Sequence, residues 1–466
     1  VELPAQLLDS LTGLTGFDKE AFEKVHALRN QITSIRVNPL KVPDHTKLPS
    51  PAFQGMKQKG ELEEIDIPWS QYGFYLSQRP SFTFDPVFHA GAYYVQEASS
   101  MFLEEALKQT ADLSHPLKVL DLSAAPGGKS THIQSMISSA GLLVSNEVIR
   151  SRASTLRDNI IKWGADNVIV TNNDPKDFAR LRNYFDVIVA DAPCSGSGLF
   201  RREPEAIGEW SPDNVALCSQ RQQRILADIW PALKKDGILI YSTCSYSKEE
   251  DEEIMDWMIK ELQVENLKLK VETDWGIVET ISEMGGYGYR FWPDKVKGEG
   301  FFIACFRKKE GGDSETMRVK SKPEPASKKE LPIIEKWINA EGYQFIKHEN
   351  TVYAWPERLV SDLTILLSTL RVIYSGIRVG ELIRDKLVPD HSLAMSRRVP
   401  AWVNTVAFNY EQAIQYLQRK DIVVQNTERG WALVNYEGYP LGWVNILPNR
   451  INNYYPKELR ILKDSI

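Results

Sequence analysis

Cys194 and Cys244 are the side chains of this sequence best placed to act as nucleophiles. Each follows an apolar run, within FDVIVADAPCSGSG for the first and ILIYSTCSYS for the second, and each run has the length and composition of a buried strand. Both leave that run into a loop bearing Ser or Gly. Cys218, within a helical stretch, and Cys305, inside FFIACFR, have instead the surroundings of small buried hydrophobes. Asp191 stands three positions before Cys194. If the two runs are adjacent parallel strands, both thiols and the carboxyl group face one pocket at the strand ends. A thiolate there can add to an electron-poor ring carbon, and the carboxyl group can hold the proton that such an addition requires.

A second motif supplies a partner for that chemistry. In VLDLSAAPGGKS, Val119 to Ser130, an apolar strand runs into small residues and then into a helix. Ser123, Ala124, Ala125, Pro126, Gly127, Gly128 and Lys129 are candidate cofactor contacts, because small residues allow close backbone approach and a helix N-terminus offers free amides. Gly128-Lys129-Ser130 matches the end of a phosphate-binding loop. That signature needs Gly where Ser123 stands, so the spacing excludes it. Glu147 ends the next strand, where a carboxylate accepts from ribose hydroxyls, and Asp174 follows the third, where one can accept from an adenine amino group. An adenosyl cofactor at the strand ends, S-adenosylmethionine, is the expectation. Thiols, carboxylate and methyl donor together suit methylation of carbon 5 of cytosine. Thiolate addition at carbon 6 makes carbon 5 nucleophilic, an acid at ring nitrogen 3 quenches the charge, and loss of the carbon 5 proton lets the thiol leave. The base must be unpaired or flipped out of a duplex.

The elements that carry these residues are legible in the patterning. Residues 118–307 alternate short apolar runs with amphipathic segments, which predicts a Rossmann-like α/β sheet covered on both faces. The expected strands are Lys118–Leu122, Leu142–Asn146, Asn167–Thr171, Phe185–Ala190, Gly237–Ser242 and Gly300–Arg307, the last inserted antiparallel at the edge. Before them lies an N-terminal region, 1–117, and after them a polar linker, 308–330. A small intermediate domain is expected over 331–387 and a β-barrel-like tail over 388–466. A chain ended near Glu310 is therefore expected to keep cofactor binding. With 466 residues, 42 % hydrophobic and 25 % charged, the chain has the makeup of a globular protein of two to four domains. It has no apolar run of eighteen, no secretory pattern and no zinc-ligand spacing, so a cytoplasmic, metal-free, membrane-free monomer is expected. Net charge is −6, yet residues 391–466 hold nine Lys and Arg against six Asp and Glu, a distribution compatible with RNA.

The blocks SAAPGGKS, NEV, DAPCSGSG and STCSYS, in this order and spacing, resemble the Nop/Sun-type RNA (cytosine-5)-methyltransferases. SIRVNPLK, YYVQEASSM and FRREPEAIGEW look like further segments of that family. The resemblance implies that Cys244 is the nucleophile, that Cys194 assists release, and that the cofactor touches Ser123 through Lys129, Glu147, Asp174 and Asp191. The residues alone leave open which cysteine attacks. The first block departs from many relatives in having Ser123 where they have Cys. PDHSLAM and GWALVNYEGYPLGWVNILPNR resemble the end of bacterial RsmF-type enzymes, whose tail is a PUA-like RNA-binding barrel and whose substrate is small-subunit (16S) ribosomal RNA. In that tail Trp431, Tyr436, Tyr439 and Trp443 are candidates for base stacking, although barrel core is the expected place for Trp431 and Trp443. Arg450, Lys457 and Arg460 are candidates for phosphate. Arg36, Asn38 and Lys41 of SIRVNPLK are the stronger candidates for RNA contact. A tRNA substrate and a non-catalytic RNA-binding scaffold are the competing readings; the scaffold predicts loss of Cys244 or of the Gly pair, and both are present.

Overall fold

Five apolar runs pair as parallel strands, in the spatial order Leu233–Thr243, Phe185–Asp191, Lys118–Asp121, Leu142–Asn146, Val168–Thr171. They form the middle of a ten-stranded sheet in the computed structural model, which describes residues 3–28, 31–42, 44, 48–58, 63–312, 319, 322–424 and 428–464. Such strands are buried on both faces, hence their unbroken apolar character. Val119, Val187 and Val189 meet helices Gly128–Met136 and Arg150–Trp163 on one face. Leu120, Ile188 and Ala190 meet helices Pro212–Ile229 and Glu252–Glu261 on the other. Lys118–Asp121 lies where the strand order reverses, so the loops at its carboxyl end open into the crevice where such sheets bind ligands.

Two features of the sheet differ from the sequence expectation. Phe301–Arg307 is antiparallel to Leu233–Thr243, but it is not the edge. Tyr287–Phe291 pairs on its other side, followed by Val278–Ile281. Gly285, Gly286 and Gly288 mask this hairpin, because glycine lowers the local strand signal. The opposite edge is completed by Val372–Ser375, antiparallel to Val168–Thr171. That strand comes from the segment expected to be a separate domain over 331–387. Helix Val360–Thr369 of the same segment buries Leu363 and Leu366 against the sheet. The rest of the segment makes a five-stranded sheet that runs on to Lys386–Pro389, past the expected boundary.

The N-terminal region holds an antiparallel sheet of Glu64–Asp66, Gly73–Leu76, Thr33–Val37 and Tyr93–Val95. The tail holds a second four-stranded sheet, Thr405–Ala407, Gly430–Tyr436, Tyr439–Leu447 and Arg450–Asn453, with helix Tyr410–Gln418 against it. These two ends of the chain share one core, in which Ile35, Phe74, Val87 and Tyr93 pack with Phe408, Tyr416, Val434 and Tyr455. Part of the expected linker, 313–318 and 320–321, lies outside the described residues. Within the described part, Lys308 Nζ donates to the carbonyls of Trp230 and Leu233, and Glu324–Pro325 pairs with Tyr343–His348. No helix among the described residues is long and apolar enough to cross a membrane.

Candidate active site

The parallel register carries both cysteines to the same end of adjacent strands, and their Sγ atoms stand 3.0 Å apart. Three further links join the two loops. Gly198 N donates to the Cys244 carbonyl (2.7 Å), Tyr246 N to Ser197 Oγ (3.0 Å), and Ala192 N to the Ser242 carbonyl (2.8 Å). Glycine is required at 198 because a Cβ there would lie 2.6 Å from both the Cys244 and Gly300 carbonyl oxygens. The Cys194 thiol is pushed well above its usual pKa, first by its hydrogen bond to Cys244, then by burial and by the charges of Cys244 and Glu250.

Asp191 is held from both sides. Its Oδ1 accepts from Ser242 Oγ at 2.7 Å, and its Oδ2 pairs with Lys129 Nζ at 2.8 Å. Burial disfavours charge on Lys129, but the attraction of Asp191, reinforced by Asp121 and Cys244, outweighs it and raises the Lys129 pKa. A lasting ammonium thus lies within electrostatic reach of both the carboxylate and the nucleophile candidate. Lys129, expected as a cofactor contact, is in this structure a partner of Asp191.

The loop between strand and helix is fixed by its neighbours. Ala124 N donates to the Asn146 carbonyl, Arg152 to the Ala125 carbonyl and Asn159 to the Pro126 carbonyl, at 2.8, 2.9 and 2.8 Å. Gly127 has φ +121°, so a side chain is disfavoured by the backbone, while a Cβ there would make only ordinary contacts, 3.4 Å from Leu156 and Asn159. Ala124, Ala125 and Gly127 are buried, Ser123, Gly128 and Lys129 half-buried, and Pro126 exposed. Asp121 Oδ1 and Glu147 Oε2, both buried at strand ends, lack a hydrogen-bond partner in the protein. Glu147 Oε1 accepts from Ile149 N, and the Arg152 guanidinium stands 3.6 Å from Oε2. Asp174 caps the short helix Pro175–Arg180 by accepting from Lys176 N. Two buried carboxylate oxygens awaiting donors beside a glycine cradle fit a ligand rich in hydroxyl and amino groups, as an adenosyl amino acid is.

Arg36, Asn38 and Lys41 are not brought to this site, nor do they face solvent as RNA contacts would. Arg36 is 1 % exposed and donates to Gln96, the Gly128 carbonyl and Thr131, with its guanidinium 4.7 Å from the Trp163 ring centroid. Asn38, fully buried, donates to the carbonyls of Gly91 and Trp163. Lys41 donates to the carbonyls of Ala90 and Lys162, and burial, reinforced by Lys162, lowers its pKa to about 7. All three bind the N-terminal sheet to the catalytic domain. A basic residue in the strand Thr33–Val37 and another in the turn after it signal either a surface or an interface, and only the packing distinguishes these. In the tail, Trp443 is core, its indole N–H donating to the Asp390 carbonyl, Tyr436 is buried, and Trp431 and Tyr439 are half-buried. Arg450, Lys457 and Arg460 are all exposed at the surface.

Sequence reasoning missed Glu250 and Asp251. The run KEEDEE reads as a solvated helix start, yet both side chains are fully buried. Glu250 accepts from Ser195 N, Ser195 Oγ, Ser245 Oγ and Gln222 Nε2 at 2.8, 2.5, 2.6 and 3.2 Å. Asp251 accepts from Thr243 Oγ1 at 2.7 Å, and Arg290 links Asp251 and Glu252 to the Tyr246 carbonyl. Ser or Thr beside each catalytic-loop cysteine is the one signal that such acceptors were needed.

Comparison with known proteins agrees with this architecture. The model of the family described as "16S rRNA methyltransferase RsmB/F" matches residues 109–307. Those of the "N-terminal domain of 16S rRNA methyltransferase RsmF" and the "Methyltransferase RsmF PUA domain" match 3–98 and 403–461. A protein named ribosomal RNA small subunit methyltransferase F from Aliivibrio fischeri is 30 % identical over 91 % of this chain and 90 % of its own length. One of the same name from Pectobacterium atrosepticum is 28 % identical over 98 % and 96 %. Among solved structures, a methyltransferase homologue from Pyrococcus horikoshii superimposes with TM-score 0.51 and 29 % identity, covering 66 % of this chain and all of that one. NSun6 from the same organism has TM-score 0.53, 20 % identity and coverage of 66 % and 98 %, a likeness of fold.

Proposed function

The chain belongs to the RsmF family of small-subunit ribosomal RNA methyltransferases, and we propose that it methylates carbon 5 of a cytosine in 16S ribosomal RNA through a covalent adduct on Cys244. The observation that carries this reading is the pair of thiols 3.0 Å apart at the ends of adjacent parallel strands. A cysteine pair so placed offers a nucleophile and, later, a base, which is what addition and elimination at a pyrimidine ring require.

Ser123 through Gly128, Glu147 and Asp174 would hold S-adenosyl-L-methionine at the strand ends. That cofactor supplies an electrophilic sulfonium methyl group. Lys129 stabilises the Cys244 thiolate by its charge. The thiolate forms a bond to carbon 6 of the cytosine, and the electron pair displaced toward ring nitrogen 3 takes up a proton that Asp191, oriented by Ser242, relays from the Lys129 ammonium. Carbon 5 then takes the methyl group. Once Cys244 is a thioether its negative charge is gone, and with it one of the causes that hold the Cys194 proton in place. Cys194 becomes easier to ionise at the stage when a base is needed. The Cys194 thiolate, its own proton released to solvent, takes the carbon 5 proton; the freed electron pair restores the ring double bond and expels Cys244 as thiolate, and the proton at ring nitrogen 3 returns through Asp191 to Lys129.

The surface cations Arg450 and Lys457 of the PUA domain support an RNA substrate. Incubation with labelled S-adenosyl-L-methionine and either 16S ribosomal RNA or bulk tRNA, followed by mapping of methylated bases, tests the proposal. 5-Methylcytosine in the ribosomal RNA is the expected product. Label on another base, or in tRNA alone, would refute it.

A further inference from the structure

We propose that Glu250 is a positioning residue that sets the distance between the two thiols, by gripping the residue after each cysteine with one carboxylate. Ser195 follows Cys194 and Ser245 follows Cys244, and both hydroxyls donate to Glu250 Oε2, at 2.5 and 2.6 Å. The Ser195 amide donates to Oε1 at 2.8 Å, so the grip includes backbone beside the thiol. An ionised carboxylate offers about four lone-pair sites, and Gln222 Nε2 takes the last at 3.2 Å. Gln222 is itself anchored, donating to the Pro193 carbonyl and accepting from Tyr241 OH. The Tyr241 hydroxyl also lies 2.6 Å from the Glu250 carbonyl. The carboxylate therefore cannot swing to one loop without abandoning the other. Burial pushes the Glu250 pKa up, and the four donors counter it. Its charge is also among the causes that keep Cys194 protonated.

The grip of Glu250 on the two loops is geometric, whereas its consequence for methylation rests on the function proposed above. Two readouts separate them. The first is the rate at which the azo oxidant diamide couples Cys194 to Cys244, mapped by mass spectrometry on the full chain. Each thiol gives up one proton and one electron, the S–S bond forms, and the N=N bond is reduced to a hydrazine. Because coupling demands a narrow range of sulfur positions, Glu250→Ala is expected to slow it about tenfold or more, a loss typical of misplacement by an ångström. Glu250→Gln retains an acceptor and gains a donor that the serine hydroxyls can accept, so it is expected to stay within about threefold of wild type. Affinity for S-adenosyl-L-methionine, measured by calorimetry, reports that the variants are folded. Wild-type coupling in a Glu250→Ala variant with unchanged cofactor affinity would overturn the proposal. If Glu250→Ala does not fold, the Ser195→Ala/Ser245→Ala double variant, with Glu250 in place, takes the same measurement, and unchanged coupling there overturns it too. The second readout is the fraction of RNA trapped as covalent adduct, expected to rise several-fold in Glu250→Ala as Cys194 loses its place. Slowed coupling with no RNA adduct in any variant would leave the positioning role intact and count against cytosine methylation.

Discussion

Cys244 and Cys194 differ in what their loss should do, because the proposed mechanism gives the two touching thiols successive duties. Cys244→Ala removes the attacking sulfur, so neither methylated product nor adduct is expected. Cys194→Ala leaves attack and methyl transfer intact but slows elimination by roughly 10²- to 10⁴-fold, the worth of a positioned base. It should accumulate an enzyme–RNA complex that survives denaturing electrophoresis. An adduct with Cys244→Ala in place of Cys194→Ala would reverse the assignment, and one persisting in the double variant would exclude both. Asp121 yields a test by pH. Burial, only partly offset by Ser130, raises its pKa from 3.8 to about 7. The folded protein thus holds a proton that the unfolded chain releases, and stability contributed by Asp121 is complete below pH 4 and lost as pH rises through 7. Asp121→Asn keeps an acceptor for Ser130 without the charge. Relative to wild type it should gain stability between pH 4 and 8, by about 2–4 kcal/mol, read from urea unfolding of the cofactor-free protein. Parallel pH profiles of the two proteins would show that Asp121 is not the group that titrates.

The strand Thr33–Val37 and helix Gly128–Met136 meet through one buried guanidinium. Arg36 holds the Gly128 carbonyl and Thr131, so it fixes the first turn of the helix that begins at the glycine cradle. Arg36→Ala strands buried acceptors and removes the stacking on Trp163, at a cost of about 2–4 kcal/mol. The expected outcome is a lower melting temperature and weaker cofactor binding, with the salt dependence of RNA binding unchanged. A slope of log K against log salt shallower by about one phosphate contact would instead mark Arg36 as an RNA ligand. The same element view explains the burial of Glu250 and Asp251 at the start of helix Glu252–Glu261: the helix delivers carboxylates into loops that offer hydroxyl and amide donors.

No clean cut separates the catalytic sheet from the segment C-terminal to it. Val372–Ser375 completes its edge, and Leu359, Leu363, Leu366 and Leu370 cover one face together with Trp355. A chain ended at Glu310 would expose the surfaces these residues bury, on the order of 10 kcal/mol of apolar contact, which is the size of a domain's whole stability. We therefore expect that truncation to abolish cooperative thermal unfolding and cofactor binding together, contrary to what the linker pattern alone implies. A sharp melting transition with wild-type cofactor affinity in the truncated protein would contradict this. The shared core of the N-terminal sheet and the PUA domain couples the two ends in the same way: Tyr410 OH donates to the Phe84 carbonyl, so substitutions in one end should destabilise the other.

Legibility in the sequence depends on which interactions are local. The alternation of apolar runs and amphipathic segments, the small-residue turn after Asp121, and the placement of Cys194 and Cys244 at strand ends are all written within a few residues, since period, turn chemistry and strand length are local properties. From them came the parallel sheet, the ligand crevice and the pairing of the two thiols. Contacts across tens or hundreds of residues were illegible. Arg36 and Lys41 carry charges that read as surface until Gly128, Thr131 and Lys162 are seen to cover them. KEEDEE reads as solvated until Ser195 and Ser245 supply donors to its Glu250. Val372–Ser375 looks like part of its own segment until Val168–Thr171 offers an unpaired edge. A buried charge is stable only with partners that share its site, and sequence lists those partners without saying that they meet.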